Sequence, residues 1–243
     1  MPSHTFETPG AVRLNIAIPS GRVEIETADV NETHVELEAL SDAARELLGE
    51  TRIDSRERPG GHEVIVEVPQ RTSFFLGFGR GAEFRLRVAC PEGADLDVRT
   101  KSADLQARGR YGAAEIKTAS GDISLDEAQE ARIKTASGDV ALDTIHGITH
   151  VQSASGDLSL QRAGGDATVQ LVSGDVWIRD AGASVHANTV SGSTNSELEL
   201  SDAPAEDGGG EGDEGPMVEL RIKTVSGDVN IARAAAPAQL PRH

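Results

Sequence analysis

The sequence predicts an all-β protein: a single-chain parallel β-solenoid with an N-terminal β portion and one short helix. Three observations predict this fold. A ten-residue motif returns at a nearly constant interval, apolar and polar residues alternate within each copy, and a Ser-Gly-Asp turn lies at its centre. The clearest copy, IKTASGDISL, covers residues 116–125. The other copies cover residues 133–142, 151–160, 169–178 and 222–231, with degenerate copies at residues 98–107 and 187–196.

The interval between copies predicts the length of one coil. The serine of each central turn marks a copy, and successive markers are 18, 17, 18, 18, 18 and 35 residues apart. A fixed short period is the signature of a repeat architecture, so about 18 residues form one coil. We expect the coils to stack in chain order, with an insertion inside the long last interval. The markers are Ser102, Ser120, Ser137, Ser155, Ser173, Ser191 and Ser226.

The alternation within each copy predicts two strands joined by a tight corner. Apolar residues such as Ile116, Ile123 and Leu125 occupy every second position on either side of the turn, which is the period of a β-strand. The glycine of the turn provides a backbone conformation that other residues resist. A second corner is predicted near Ala128 and Ile145 and their counterparts in the next coils. Neighbouring coils should stack about 4.8 Å apart.

Residues 1–95 are predicted to form the N-terminal β portion. The solenoid, or a sheet continuous with it, should begin near residue 10. A two-turn helix is predicted at residues 41–49, with Ser41 as its N-cap and Gly49 as its C′ residue. Such a short helix depends on docking onto the β body. Strands are expected at residues 12–18, 22–26, 31–40, 51–56 and 63–68.

Residues 71–84 break the alternation and are predicted to form a mobile loop rich in phenylalanine. Four of the five phenylalanines of the chain lie here. One interpretation is that they fold back over the open end of the solenoid, which otherwise exposes unpaired strand edges. The alternative is that they bind a partner or a membrane surface. The candidate interaction residues of this loop are Arg71, Phe74, Phe75, Leu76, Phe78 and Arg80.

The regular solenoid is predicted at residues 96–232 and contains one acidic insertion. Residues 201–216 carry six acidic side chains and no basic or bulky apolar ones, which predicts a disordered loop. Residues 217–231 are expected to resume the ladder. Residues 233–243 are predicted to form a flexible tail.

Charge and composition narrow the choice of compartment and partners. A net charge of −17 argues against binding to nucleic acid or, unaided, to anionic lipid. The single cysteine, Cys90, permits no internal disulfide. The first residues lack the basic and apolar regions of a secretory signal, and no stretch of the sequence is apolar enough to span a membrane. We therefore expect a cytoplasmic protein.

The recurring Ile/Val-x-Thr-x-Ser-Gly-Asp-Val/Ile-x-Leu motif resembles a known bacterial group. Together with the preceding Ser-Gly-x-Val-x-Ile pair at residues 20–25, it is similar to the β-strand-repeat "putative adhesin" family, domain of unknown function 4097. The resemblance covers residues 10–232 and is strongest from 96 to 231. It implies a right-handed β-helix-like solenoid without an established enzyme activity. Some family members are encoded near envelope-stress systems.

The aspartates of the repeated turns are expected to align in one column. One interpretation is structural: each carboxylate accepts backbone amides within its own corner, which offsets the repulsion between neighbouring charges. The alternative is a row of weak divalent-cation sites, since hard cations take carboxylate oxygens. The sequence favours the structural interpretation, with no metal. These corner aspartates are Asp104, Asp122, Asp139, Asp157, Asp175 and Asp228.

Outside the column, Trp177 is the other candidate interaction residue. It replaces a small outward residue of the other coils, so it indicates either an interaction face or an isolated surface aromatic. His146 and His150 are four residues apart, but on a strand and corner that spacing does not converge on a zinc ion. No nucleophile–base set or phosphate-binding loop is recognisable, and no cofactor is predicted.

The function predicted from these features is that of a non-enzymatic intracellular interaction or scaffold module with a protein partner, linked through the family resemblance to envelope stress. A carbohydrate-active β-helix enzyme is the alternative; its carboxylates would converge outside the corners, around Asp180 or Glu130. A third hypothesis is reversible membrane contact through the phenylalanine-rich loop. A homodimer is a further alternative, because poorly capped solenoid ends tend to pair.

Overall fold

The computed structural model describes residues 3–69, 81–181, 183–191, 193–196 and 218–232 as one largely parallel sheet wound into coils, with one helix, α1 (Asp42–Leu48). The acidic insertion 201–216, the tail 233–243 and the six candidate residues between Arg71 and Arg80 lie outside the described residues. The strands are β1 (Ser3–Glu7), β2 (Ala11–Ala28), β3 (Glu32–Ala39), β4 (Arg52–Arg58), β5 (Gly61–Glu67), β6 (Glu83–Pro91), β7 (Ala94–Lys117), β8 (Ile123–Ser137), β9 (Val140–Ile145), β10 (Thr149–Ser155), β11 (Leu158–Ala163), β12 (Ala167–Ser173), β13 (Val176–Ala181), β14 (Ala183–Ser191), β15 (Thr194–Ser196), β16 (Val218–Ser226) and β17 (Val229–Ile231).

The predicted parallel solenoid is confirmed by the pairing of these strands. β10 lies between β8 and β12, and β11 lies between β9 and β13, all parallel. The register places Val151 between Ile133 and Val169, so equivalent positions of successive repeats stand side by side. This register follows from the sequence. Any other register would move the apolar side chains of a strand to the solvent face or place unlike residues side by side in the core.

A narrow aliphatic core runs through the coils. The inward positions on both sides of the corner are almost fully buried, including Ile116, Leu125 and Leu160. Tyr111 is the largest fully buried side chain, and its hydroxyl donates to the backbone oxygens of Ile25 and Arg108. Because each coil buries only a few side chains, stability depends on stacking against the next coil.

The N-terminal portion is continuous with the solenoid. β2 forms a complete coil whose parallel partner is β7, with Leu14 opposite Leu96 and Ile16 opposite Val98. The boundary placed between residues 95 and 96 therefore falls within β7, and the two portions share one hydrophobic core. The opposite edge of β2 pairs in parallel with β5 along its first half and with β6 along its second half.

An antiparallel layer covers this N-terminal end of the stack. β3 pairs with β6 and β4 pairs with β5, both antiparallel, and β1 adds an antiparallel strand to β3. The helix α1 joins β3 to β4 and buries Ala44 and Leu47, which confirms that it docks onto the β body. Covering a parallel edge with reversed strands removes a template for pairing with other chains. This layer covers the end of the stack, and Phe84, one of the four phenylalanines of residues 71–84, is fully buried within it on β6. The capping interpretation for Phe74, Phe75 and Phe78 concerns residues outside the described ones.

The helix ends differently from the sequence expectation. Ser41 is the N-cap as predicted, and its hydroxyl accepts the backbone N–H of Ala44 at 3.2 Å. Gly49, however, has a right-handed φ of −69° and is the C-cap, so the predicted left-handed C′ glycine is wrong. The N–H of Glu50 and the hydroxyl of Thr51 both reach the carbonyl of Leu47, which satisfies the helix end without a left-handed residue.

The C-terminal coils do not stack in chain order. β16 lies between β12 and β14, and β17 lies between β13 and β15. The coil at residues 218–231 is thus inserted between the coil that ends at Ala181 and the coil at residues 183–196. The order expected from the repeat is wrong here. The period determines which backbone ladder each coil presents to a neighbour, and equivalent coils present the same ladder. The period therefore does not select which coils become neighbours. Within the described residues, no helix is long and apolar enough to cross a membrane.

Candidate functional site

The corner aspartates form a hydrogen-bonded column along the stack. Oδ1 of Asp104 accepts the backbone N–H of Asp122 at 3.2 Å, and Oδ1 of Asp122 accepts that of Asp139 at 3.0 Å. The series continues through Asp157, Asp175 and Asp228 at 2.8–2.9 Å. The predicted alignment is therefore present, but the acceptor geometry was predicted incorrectly. Each carboxylate accepts the amide of the next coil, because the turns stack in register and place that N–H beside the side chain.

Both ends of the column depart from the Asp pattern. Arg22 occupies the corner position beside Asp104, and its guanidinium lies 4.0 Å from the carboxylate. At the other end the backbone N–H of Ser193 donates to Asp228 at 2.8 Å. Amide donors and one terminal cation thus offset the repulsion between neighbouring carboxylates. Among the described residues no group of His, Cys, Asp or Glu has the arrangement of a metal site. The carboxylate–amide hydrogen bonds of the column join each coil to the next.

Trp177 lies on the opposite side of the corner, on β13. It is 41% exposed, and its register neighbours are Ser159 on β11 and Asn230 on β17. Because both neighbours are short, they leave the indole ring uncovered along the stack. We call the outward side chains of β9, β11, β13 and β17 the tryptophan face.

A groove on the tryptophan face surrounds the indole. It has a volume of about 320 Å³, and its lining includes the polar side chains of Gln161 and Arg179, which follow the Ser159–Trp177 row by two residues. The amide of Gln161 donates to the hydroxyl of Ser159 at 3.3 Å, which holds one wall in place. The arrangement provides a flat apolar ring flanked by a cation and an amide on a rigid sheet. Such a surface can pack against an apolar or aromatic group and orient it by hydrogen bonds.

Sequence reasoning identified Trp177 but not the composition of its surroundings. Arg179 and Gln161 follow the corner at the same offset in successive coils, so their presence on this face could have been inferred. Asn230 could not, because coils stacked in chain order would place Asn195 beside Trp177. The insertion of the coil at residues 218–231 brings Asn230 there instead.

Several other titratable groups in the described residues form close contacts: His34 lies 2.9 Å from the hydroxyl of Thr5 through Nδ1 and 3.2 Å from Glu36 through Nε2. His146 pairs with Glu127 at 2.8 Å, and Glu130 pairs with Arg132 at 3.0 Å. Burial raises the pKa of Cys90 to about 12, so this thiol remains protonated at neutral pH. The carboxylate of Asp180, the second position named for a carbohydrate-active enzyme, lies outside the described side chains.

Comparisons with known proteins gave one family profile and several solved structures. The family profile described as Toastrack DUF4097 matches residues 13–232. The crystal structure of a "putative cell adhesion protein" from Clostridium sporogenes aligns over 96% of this chain and 99% of its own, with 13% identity and a TM-score of 0.44. A "putative adhesin" from Bacteroides fragilis aligns over 95% and 96%, with 8% identity and a TM-score of 0.42. No curated protein matches the chain.

Proposed function

This chain belongs to the Toastrack DUF4097 family, and we propose that it is a non-enzymatic interaction or scaffold module whose tryptophan face binds a partner protein. The observation that supports this proposal is the exposed indole of Trp177 within a groove of mixed polarity. A location inside the cell and a link to envelope stress are parts of the same proposal, and they rest on the sequence expectations.

The energetics of an exposed tryptophan favour a role in binding. Tryptophan and arginine are enriched among the residues that dominate protein interfaces, where truncation of one costs about 2 kcal/mol or more. Trp177 and Arg179 occupy the same strand two residues apart, so both side chains project from one face. In the absence of a partner, 41% exposure of the indole leaves apolar surface in contact with water.

The rigidity of the platform is the second supporting argument. The strands on either side of β13 are parallel, in register and hydrogen-bonded along their length, and the aspartate column ties their corners together. A preorganised surface loses little conformational entropy on binding. The tryptophan face can therefore present the same groove to a partner without first becoming ordered.

The proposal is tested by affinity capture from extract of the native host, including its membrane fraction. The variant Trp177→Ser is compared with the wild type and with Val30→Ser, which removes an apolar side chain of similar exposure, 39%, from a distant position. We expect a protein that the wild type and Val30→Ser both recover and that Trp177→Ser loses. Cell fractionation of the native protein tests the location.

The purified partner is then titrated against the three proteins, all shown by circular dichroism to be folded. A loss of affinity of at least about thirtyfold with Trp177→Ser corresponds to the removal of one dominant interface residue. Equal affinity for all three proteins would exclude the tryptophan face. If no partner is recovered by any of them, the interaction module loses its support, and assays for glycan cleavage test the enzymatic alternative.

A further inference from the structure

The lysines of this acidic protein are unevenly distributed. The chain has a net charge of −17 and only four lysines. Lys117, Lys134 and Lys223 occupy equivalent positions of their coils, three residues before the marker serine, and Lys101 is one residue before its own marker. All four therefore lie on the strands that precede the corner, on the side opposite the tryptophan face across that corner. We call the outward side chains of β10, β12 and β16, with those of β7 and β8 that stack on them, the lysine face.

The register of the lysine face brings two ammonium groups of neighbouring coils together. Lys117 lies opposite Lys134, while Arg132 lies between Glu115 in one coil and His150 in the other. The row that begins with Lys117 and Lys134 continues through Gln152 and Gln170 to Lys223, without a carboxylate. Like charges at the spacing of adjacent coils repel each other, and an anionic ligand would relieve that repulsion.

A groove with a volume of about 330 Å³ lies on this face and is lined by Lys117, Lys134, Arg132 and His150. Its polar lining consists of four basic side chains and one carboxylate, that of Glu115. The full set is Glu115, Lys117, Arg132, Ile133, Lys134, Ile148 and His150.

The single carboxylate of the groove already has a cationic partner. Lys117 donates a hydrogen bond to Glu115, and this bond together with the charges of Lys117, Arg99 and Arg13 lowers the pKa of Glu115. Arg132 is paired with Glu130 at 3.0 Å. Lys134, in contrast, is exposed and forms no ion pair with the acidic side chains that the structure describes. The groove consequently retains an uncompensated ammonium group between two partly engaged cations.

The groove also has an apolar wall that a simple polyanion would leave uncovered. Ile148 is 50% exposed at its edge, although isoleucine is usually buried in a strand protein. A second outward row of apolar side chains runs parallel to the lysine row, two residues further along each strand towards the corner. It includes Ala136, Ala154 and Val172, the last 55% exposed. A matching ligand therefore carries carboxylates and apolar groups in alternation along an extended chain.

We propose that the groove of the lysine face is a binding site for an extended acidic polypeptide segment, in which carboxylates contact Lys117, Arg132 and Lys134 and apolar side chains contact Ile148. Alternate side chains of an extended peptide point to the same side, which suits two parallel rows of different chemistry. Nucleic acid and polyuronates offer no apolar side chains for Ile148, which is half exposed at the edge of the groove.

The test measures the binding of a fluorescent twelve-residue peptide of alternating Glu and Val to the full chain by anisotropy. The triple variant Lys117→Gln/Arg132→Gln/Lys134→Gln is compared with Arg45→Gln/Arg52→Gln/Arg110→Gln, which removes the same charge from exposed sites elsewhere. We expect the first variant to lose about tenfold or more in affinity and the second less than threefold. Raising the salt concentration should weaken binding of the wild type and leave the residual binding of the first variant nearly unchanged.

Two further variants keep the test decisive. If the triple variant is not folded, Lys134→Glu replaces it, because this side chain is exposed and unpaired within the described part of the chain. Ile148→Ser should weaken the binding of the Glu-Val peptide and leave the binding of a poly-Glu peptide unaffected.

The proposal is overturned if the wild type does not bind the peptide, or if both triple variants lose affinity equally. It is also overturned if single-stranded DNA, polygalacturonate or anionic phosphatidylglycerol vesicles bind more tightly than the peptide. Trp177→Ser should bind the peptide normally, so this site and the tryptophan face can fail independently.

Discussion

Replacing Gly138 by alanine tests how closely the coils approach at the corner. Gly138 has a φ of +118°, and a Cβ added to it would lie 2.3 Å from the carbonyl oxygen of Gly121 in the preceding coil. The contacted atom belongs to the backbone of the corner between β7 and β8, so it cannot rotate away as a side chain would. The coils would have to separate locally or the corner would have to change conformation.

The structure sets the size of the effect. A non-glycine residue held in this region of φ costs about 1–3 kcal/mol, and overpacking against an immovable neighbour adds about 1–3 kcal/mol. We therefore expect Gly138→Ala to lower the free energy of unfolding by about 4 kcal/mol. Gly10→Ala is the matched control: its φ is +91°, but an added Cβ has no neighbour within 4 Å. Only the backbone term of about 1–2 kcal/mol applies to the control.

The measurement is denaturant-induced unfolding of wild type and both variants, followed by far-UV circular dichroism. Midpoints and slopes give the change in the free energy of unfolding for each substitution. Native-state hydrogen exchange then shows whether the additional loss is localised at the coils next to residue 138. If Gly138→Ala costs no more than Gly10→Ala, the close stacking of glycines between coils does not hold the corner, and the reasoning is refuted.

Two other predictions follow from the charged groups. Asp139→Ala removes the acceptor of the Asp157 amide, so we expect a loss of about 1–2 kcal/mol, while Asp139→Asn keeps an oxygen acceptor and should lose less than half of that. Thermal unfolding measures both, and millimolar Ca²⁺ should leave the melting temperature unchanged; an increase would support cation binding instead. The pKa of Glu63 is lowered: burial alone raises it, but the hydrogen bond from Arg56 and the charges of Arg56 and Arg58 outweigh that effect. The stability that Glu63 contributes is therefore present above its unfolded pKa of about 4.3 and is lost as the pH falls through the folded value. The difference in unfolding free energy between wild type and Glu63→Gln should shrink between pH 6 and pH 3, and a difference independent of pH would contradict this assignment.

The site was only partly accessible to sequence reasoning. The outward position of Trp177 follows from its offset within the repeat, because alternation assigns each residue to a face. The shared offset of Lys117, Lys134 and Lys223 was equally visible in the sequence. The groove beside these lysines was not visible in the sequence, because it depends on the exposure of Ile148 and on which carboxylates pair with Lys117 and Arg132. Side-chain pairing of this kind is a property of neighbours in space and leaves no period in the sequence.

The sequence by itself determined the coil, its corners and the identity of the buried positions, since these depend on alternation and on a repeated turn within about 18 residues. Only the tertiary structure decided the order of the coils at the C-terminal end, where β16 lies between β12 and β14, and the antiparallel layer that covers the N-terminal end. It also decided that each aspartate of the column binds the coil beyond its own. The order of the coils has a clear physical reason. Equivalent coils present interchangeable ladders, so local periodicity specifies how any two of them pair but not which two become neighbours.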